Sequence, residues 1–175
     1  MALAAFNLKR WIDEHRHLLK PPVGNKLVWQ DTEFQVMIVG GPNARKDYHI
    51  EDGEELFFQI EGDIVVKVIE DGKPKDVVVR EGDIFLLPAH IPHSPQRPAG
   101  TVGMVVERMR EEKEIDHLRW FCENCGNLLH DAQFHCKDLG TQLKPIIEGF
   151  FADTKKRTCS KCGTVLEPPQ PAKAV

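Results

Sequence analysis

Gly82-Asp-Ile-Phe-Leu-Leu-Pro88-Ala-His90-Ile-Pro-His93-Ser-Pro-Gln-Arg97 decides the reading of this chain: an apolar strand runs into a proline-flanked turn that delivers an imidazole. His93 is therefore a candidate metal ligand. Upstream, Tyr48-His49 and Glu54-Glu55-Leu-Phe-Phe-Gln-Ile-Glu-Gly62 supply a second imidazole and a carboxylate, several strands' worth of sequence away. Two histidines and one carboxylate form a facial ligand set that leaves positions open on a non-heme Fe(II), where an organic substrate and dioxygen can bind side by side. Glu54 and Glu55 compete for the carboxylate role. They point to opposite faces of a strand, so only one can reach the site.

Working outward, the segment from Leu27 to Arg108 is a series of short β-rich runs: Leu27 to Gln30, Phe34 to Val39, Leu56 to Ile60, Ile64 to Glu70, Val77 to Val79, Ile84 to Leu87 and Val102 to Glu107. Turn signals separate them at Gly40-Gly41-Pro42, Glu61-Gly62-Asp63, Asp71-Gly72, Glu81-Gly82-Asp83 and Pro98-Ala-Gly100, with Asp71-Gly72 suited to a tight hairpin. Short strands at regular spacing predict an all-β sandwich or barrel. Ahead of them, Asn7 caps an expected helix carrying Leu8, Trp11, Ile12, His15 and Leu19 on or near one face, with Pro21-Pro22 as its stop.

At 175 residues with 41% hydrophobic composition, the chain suits one moderate domain plus a small appendage. The net charge of −4, with cations scattered among acids, offers no footprint for nucleic acid. No apolar run approaches membrane-spanning length, and Met-Ala-Leu-Ala-Ala-Phe does not read as a secretory signal, so a cytoplasmic protein without membrane contact is expected. Four of the five cysteines form two Cys-x-x-Cys pairs, Cys122/Cys125 and Cys159/Cys162, each followed by glycine. Two such knuckles aim four thiolates at one tetrahedral metal, and sequence does not separate iron from zinc. A site closed by four thiolates offers no position to a substrate, which favours a structural or assembly role. Cys136 is left as a free or buried thiol. The run Arg108-Met-Arg-Glu-Glu-Lys-Glu reads as a solvated connector. The expected organisation is a catalytic β domain with its helix over 1–110, a four-cysteine module over 111–167 and a Pro-rich tail over 168–175.

These residues resemble the cupins, small double-stranded β-helix barrels of jelly-roll type. Gly41, His49, Glu55 and Gly62 fit most of the first cupin motif, and Gly82, Pro88 and His93 fit the second. Asp47 stands where the first cupin histidine would be, His90 replaces a glycine and Arg97 an asparagine, so the usual four ligands fall to three. The departures narrow the resemblance. Gly-Gly-Pro-Asn-x-Arg-x-Asp-Tyr-His, Glu-Glu-x-Phe-Phe-Gln and Gly-Asp-Ile-Phe-Leu-Leu-Pro-x-His-x-x-His-Ser-Pro-Gln-Arg-Pro are similar to the signatures of the 3-hydroxyanthranilate 3,4-dioxygenase family, in the form with an extra C-terminal metal knuckle.

The resemblance implies catalytic Fe(II) held by His49, Glu55 and His93, and Arg45 beside dioxygen. It also implies that Arg97 and Glu107 bind 3-hydroxyanthranilate, alongside the metal-bound side of Glu55. A rubredoxin-like iron, or zinc, is implied at Cys122, Cys125, Cys159 and Cys162. The chemistry agrees. The substrate's phenol and amine can chelate iron, its carboxylate needs a cation, and the planar fork of an arginine fixes rotation as well as position. Glu107 and Arg45 are the expected catalytic side chains, as acceptor of the phenol proton and as stabiliser of developing charge. A homodimer is also expected. Two other classes compete: a different cupin enzyme using the same ligands, and a non-catalytic small-molecule sensor whose cysteine module binds a protein or nucleic acid, for which Lys155, Lys156, Arg157 and Lys161 offer a modest basic cluster. His90 is either a fourth ligand or a turn residue.

Overall fold

The computed structural model describes residues 4–20, 24–29 and 32–170. Two antiparallel sheets face each other. The five-stranded sheet has the order β1 (Asn25–Leu27), β2 (Phe34–Gly40), β9 (Val102–Arg108), β4 (Glu55–Glu61), β7 (Ile84–Leu87). The six-stranded sheet runs β11 (Leu128–Phe134), β10 (Asp116–Phe121), β3 (Asp47–Ile50), β8 (His93–Gln96), β5 (Ile64–Glu70), β6 (Lys73–Val79). The fold is the expected β barrel with an N-terminal helix.

Alternation along each strand builds the core. In β5, Ile64, Val66 and Val68 are buried while Lys67 points outward. In β4, Glu55, Phe57 and Gln59 face the interior, which puts polar groups inside the barrel and apolar Leu56 and Phe58 on its outer face. Asp71 and Gly72, at φ 51° and 73°, turn β5 into β6 with the backbone a two-residue hairpin requires. The start of β6, Lys73-Pro-Lys-Asp76, is exposed on the sheet edge, where charges and a proline discourage pairing with another chain.

Helix α1 (Leu8–His15) begins where Asn7 Oδ1 accepts from Arg10 N at 2.9 Å, and a short 3₁₀ turn, Arg16–Leu18, follows. Ile12 and Leu19 pack on Ile38 and Val102, closing one end of the five-stranded sheet. The proline stop at 21–22 and the end of the first expected strand at Gln30 lie outside the described residues, and β1 falls at 25–27 rather than 27–30.

Several elements were not legible. Strands β3 and β8 are short and rich in polar residues, and β8 contains Pro95. Beyond position 110, β10 pairs with β3 and β11 with β10, so these strands continue the six-stranded sheet. Helix α2 (Leu139–Ala152) forms despite an internal Pro145, capped by Asp138 through Gly140 N at 2.9 Å. Tertiary packing compensates for the proline: Phe150 stacks on Trp120 of β10 at 4.2 Å between ring centroids. A four-residue helix, α3 (Thr154–Arg157), leads to the second cysteine pair. The stretch 108–114 corrects the solvated-connector expectation. Arg110 and Glu114 are buried, and Arg108 closes a two-pronged ion pair onto Glu114, one prong at 2.6 Å.

Candidate metal centre and substrate pocket

The register of the two sheets assembles the site. His49 of β3 lies directly opposite His93 of β8 in one sheet, and Glu55 of β4 directly opposite Glu107 of β9 in the other. Two cross-strand pairs thus face each other across the barrel, and all four residues are buried. Glu54 is exposed, so Glu55 is the inward carboxylate.

Each imidazole has one nitrogen committed elsewhere. His49 Nε2 is 2.7 Å from Asp116 Oδ2, and His93 Nδ1 is 3.1 Å from Ile91 O. The remaining nitrogens point at Glu55 Oε1, at 3.7 Å from His49 Nδ1 and 2.9 Å from His93 Nε2. A hydrogen-bonded far nitrogen fixes the tautomer of a metal-binding histidine, and Glu55 Oε1 is buried with no hydrogen-bond partner of its own. Three donors that converge in this way fit a cation. Burial works to lower the pKa of His49, but Asp116 and then Glu55 hold it up at about 9, a measure of the negative potential a metal would meet. Burial opposes ionisation of Glu55, yet His93 and His49 keep its pKa well below the usual carboxylate range. His90 sits at φ 65° in an exposed turn, 3.3 Å from Asp52, and takes no part in the cluster.

Arg45, Arg97 and Glu107 line the same cavity of about 590 Å³. Asp47 pins Arg45 with two guanidinium contacts, the Nε one at 3.1 Å. Asp47 therefore orients an arginine. Arg97 is 3% exposed, and its Nη1 donates to Gln59 Oε1 at 3.3 Å. Burial lowers its pKa to about 10. The Gln59 amide nitrogen donates to Glu61 O, Gly62 O and Val102 O, so its oxygen has to face Arg97. A Cβ at Gly103 would lie 2.7 Å from Gln59 Oε1 and 2.9 Å from Arg97 Nη1, so this glycine makes room for the pair. Burial and then the neighbouring Glu55 raise Glu107 to about 7. Met37, Phe57 and Val105 supply apolar walls from the barrel, and Leu139 and Leu143 do so from α2.

Gln59, Gly103, Asp116 and the α2 wall were missed in sequence. Gln59 could have been found, because it falls on the same strand face as Glu55. Asp116 could not, since its approach to His49 depends on the β3–β10 pairing.

At the far end, the Sγ atoms of Cys122 and Cys162 are 3.5 Å apart and those of Cys125 and Cys159 3.6 Å. Four sulfurs at about 2.3 Å from a tetrahedral metal would be separated by roughly 3.8 Å, so the cluster fits one. The two knuckles repeat each other. Cys122 N donates to Asn127 O and Cys159 N to Thr164 O, both at 2.8 Å, while Gly126 and Gly163 take φ 70° and 76°. Contact with Thr164 is the leading cause lowering the Cys162 thiol to about 5. Cys136 is buried in the barrel core apart from these four, and burial pushes its thiol up to about 12.

The fold and this site define a two-sheet β-barrel protein whose buried histidine–carboxylate cluster fits a metal, with a separate four-cysteine cluster. A profile described as 3-hydroxyanthranilic acid dioxygenase matches residues 1–151. The chain belongs to that family. It is 51% identical over 172 residues to the 3-hydroxyanthranilate 3,4-dioxygenase of Ruegeria pomeroyi, covering 96% of each chain. It is 50% identical over 175 residues to the protein of the same name from Xanthomonas oryzae pv. oryzae, covering 100% of this chain and 99% of that one. Among solved structures, a cupin-2 domain containing protein from Shewanella frigidimarina gives a TM-score of 0.45 at 14% identity, over 57% of this chain and 92% of that one.

Proposed function

We propose that this protein is a non-heme Fe(II) ring-cleaving dioxygenase. It converts 3-hydroxyanthranilate and O₂ to 2-amino-3-carboxymuconate semialdehyde, a quinolinate precursor on the route from tryptophan to NAD. One observation carries the reading: His49, His93 and Glu55 converge in a cavity that also holds a buried arginine, Arg97, which has no ion-pair contact among the described residues. The printed names of the relatives support it.

His49, Glu55 and His93 would hold iron, which when bound would supply open positions for an aromatic chelate and dioxygen. Arg97, which no carboxylate neutralises among the described residues, takes the substrate carboxylate, and Gln59 sets the plane of its fork. That pair fixes which ring carbon faces dioxygen. Glu107, lifted to about 7, is matched to accept the phenol proton near neutral pH. Arg45, held by Asp47, keeps a positive charge beside the position assigned to dioxygen. Phe57, Val105 and the α2 leucines exclude water from the ring. Both oxygen atoms enter the product, so no external reductant is needed.

Iron or zinc at the four cysteines has a structural role in this reading. The 1–110 segment supplies the named catalytic and ligand residues, 111–167 the cysteine centre, and 168–175 the tail. Among the described residues no helix is long and apolar enough to cross a membrane, and we place the protein in the cytoplasm. We also infer a homodimer. The outer face of the five-stranded sheet carries two apolar rows in register, Val36–Val106–Leu56–Leu86 and Met104–Phe58–Ile84, with Ile84 71% exposed. An exposed apolar patch of this kind can pair with the same patch on a second copy. Sedimentation of Ile84→Glu as monomer beside a dimeric wild type supports that contact, and a monomeric wild type removes it.

Anaerobic loading with Fe(II), followed by 3-hydroxyanthranilate and air, tests the activity. Near-ultraviolet product absorbance with one O₂ consumed per substrate is expected, and His49→Ala should lose both. Iron-loaded wild type that binds the substrate without taking up oxygen would overturn the assignment.

A further inference from the structure

Arg110 follows β9 in a run that reads as solvated, yet its side chain is wholly buried behind the metal cluster. Its Nε donates to Asp116 Oδ1 at 2.9 Å and its Nη2 to Asp116 Oδ2 at 2.8 Å. The same Asp116 Oδ2 meets His49 Nε2 at 2.7 Å. The third nitrogen, Nη1, lies 2.7 Å from Glu51 Oε2 and 3.1 Å from Glu107 Oε1. Neither carboxylate oxygen has a hydrogen bond of good angle, so the Arg110 guanidinium is the buried cation that both of them face. Glu51, Glu55 and Glu107 bring carboxylate oxygens within 4.8 Å of one another. Among the described residues, Arg110 is the only arginine or lysine in ion-pair contact with any of these acids.

We propose that Arg110 is a positioning residue for both halves of the site: its guanidinium fixes Asp116 behind the metal ligand His49 and holds Glu107 at the substrate cavity. An arginine suits the task because its Nε/Nη2 edge matches a carboxylate bidentately while Nη1 remains for other acids. A lysine offers one point of charge and cannot hold Asp116 in a plane. With Asp116 fixed, the His49 ring keeps Nδ1 free for the metal. With Glu107 held, its carboxylate keeps its direction toward the ring. The substrate half rests on the ring-cleavage reading and the metal half does not.

The test replaces Arg110→Lys and measures Fe(II) affinity by anaerobic competition with a chelator, then KM for 3-hydroxyanthranilate in iron-saturated protein. Fe(II) binding is expected to weaken about 10- to 100-fold, as for other groups that orient a ligand histidine, and KM to rise several-fold. A lowered melting temperature with unchanged Fe(II) affinity and unchanged KM would reduce Arg110 to a structural role and overturn the proposal. Asp116→Ala and the paired Arg110→Gln/Asp116→Ala variant, which removes the cation together with its partner, cover the case in which the lysine variant fails to fold. If Arg110 acts on the metal through Asp116, the pair binds Fe(II) within about twofold of Asp116→Ala alone. A further tenfold loss in the pair, or unchanged affinity in Asp116→Ala, contradicts it. The Fe(II) readout needs no substrate, so it is informative even if ring cleavage fails.

Discussion

At the scale of single residues, the substrate end of the cavity depends on how Arg97 is held. Gln59 has its amide nitrogen committed to three backbone carbonyls and offers Arg97 only its oxygen, and Gly103 leaves the space for both. Replacing Arg97 with lysine keeps the charge and loses the fork. Arg97→Lys is therefore expected to raise KM for 3-hydroxyanthranilate about 10- to 100-fold while iron content stays at the wild-type level. Steady-state kinetics beside metal analysis would check this, and an unchanged KM would remove Arg97 from the carboxylate site. His49, His93, Arg97 and Glu55 were legible as candidates because their residue types and neighbours are distinctive. Gly103 and Asp116 were not, since a glycine in a strand and an acid in a charged run have many ordinary explanations.

Elements place these residues, and here the sequence was less complete. The apolar runs that became β2, β4, β5 and β9 announced themselves by hydrophobicity. Strands β3 and β8, which carry the two ligand histidines, are four residues long and owe their strand geometry to pairing with neighbours. Helix α2 was hidden by Pro145 and two glycines, and the packing of its Phe150 on Trp120 overrides those local preferences. The turn between β9 and β10 supplies a test by pH. Hydrogen bonding from Arg108 lowers the Glu114 carboxyl to about 2 from 4.5. A carboxyl depressed in the folded state adds stability that is complete above its unfolded value and is lost as pH falls toward the folded one. Glu114→Gln is thus expected to cost roughly 1 kcal/mol near neutral pH, a partly exposed pair being worth little more. Thermal melts should show the gap to wild type narrowing as pH drops from about 5 to about 3. A gap independent of pH would mean that the ion pair contributes nothing.

On the scale of the whole molecule, two candidate metal sites of different character share one chain. The His49, Glu55 and His93 cluster has open sides facing a cavity, whereas four thiolates would enclose a tetrahedral metal completely. The chain between the two cysteine pairs contains α2, and α2 forms one wall of the cavity. The cysteine centre therefore bears on the substrate pocket through packing, with no need for electron flow. Its cysteine spacing was plain in the sequence, but its connection to the pocket was not, because it passes through β10 and α2, elements that only the folded chain reveals. The most direct measurement fills the four-cysteine site with zinc, adds Fe(II) anaerobically in steps and follows oxygen uptake with 3-hydroxyanthranilate at each step. Ring cleavage by one iron at His49, Glu55 and His93 predicts activity that rises linearly and saturates at one iron per chain, with zinc retained at the cysteines. Activity that appears only when a second iron displaces the zinc would contradict it.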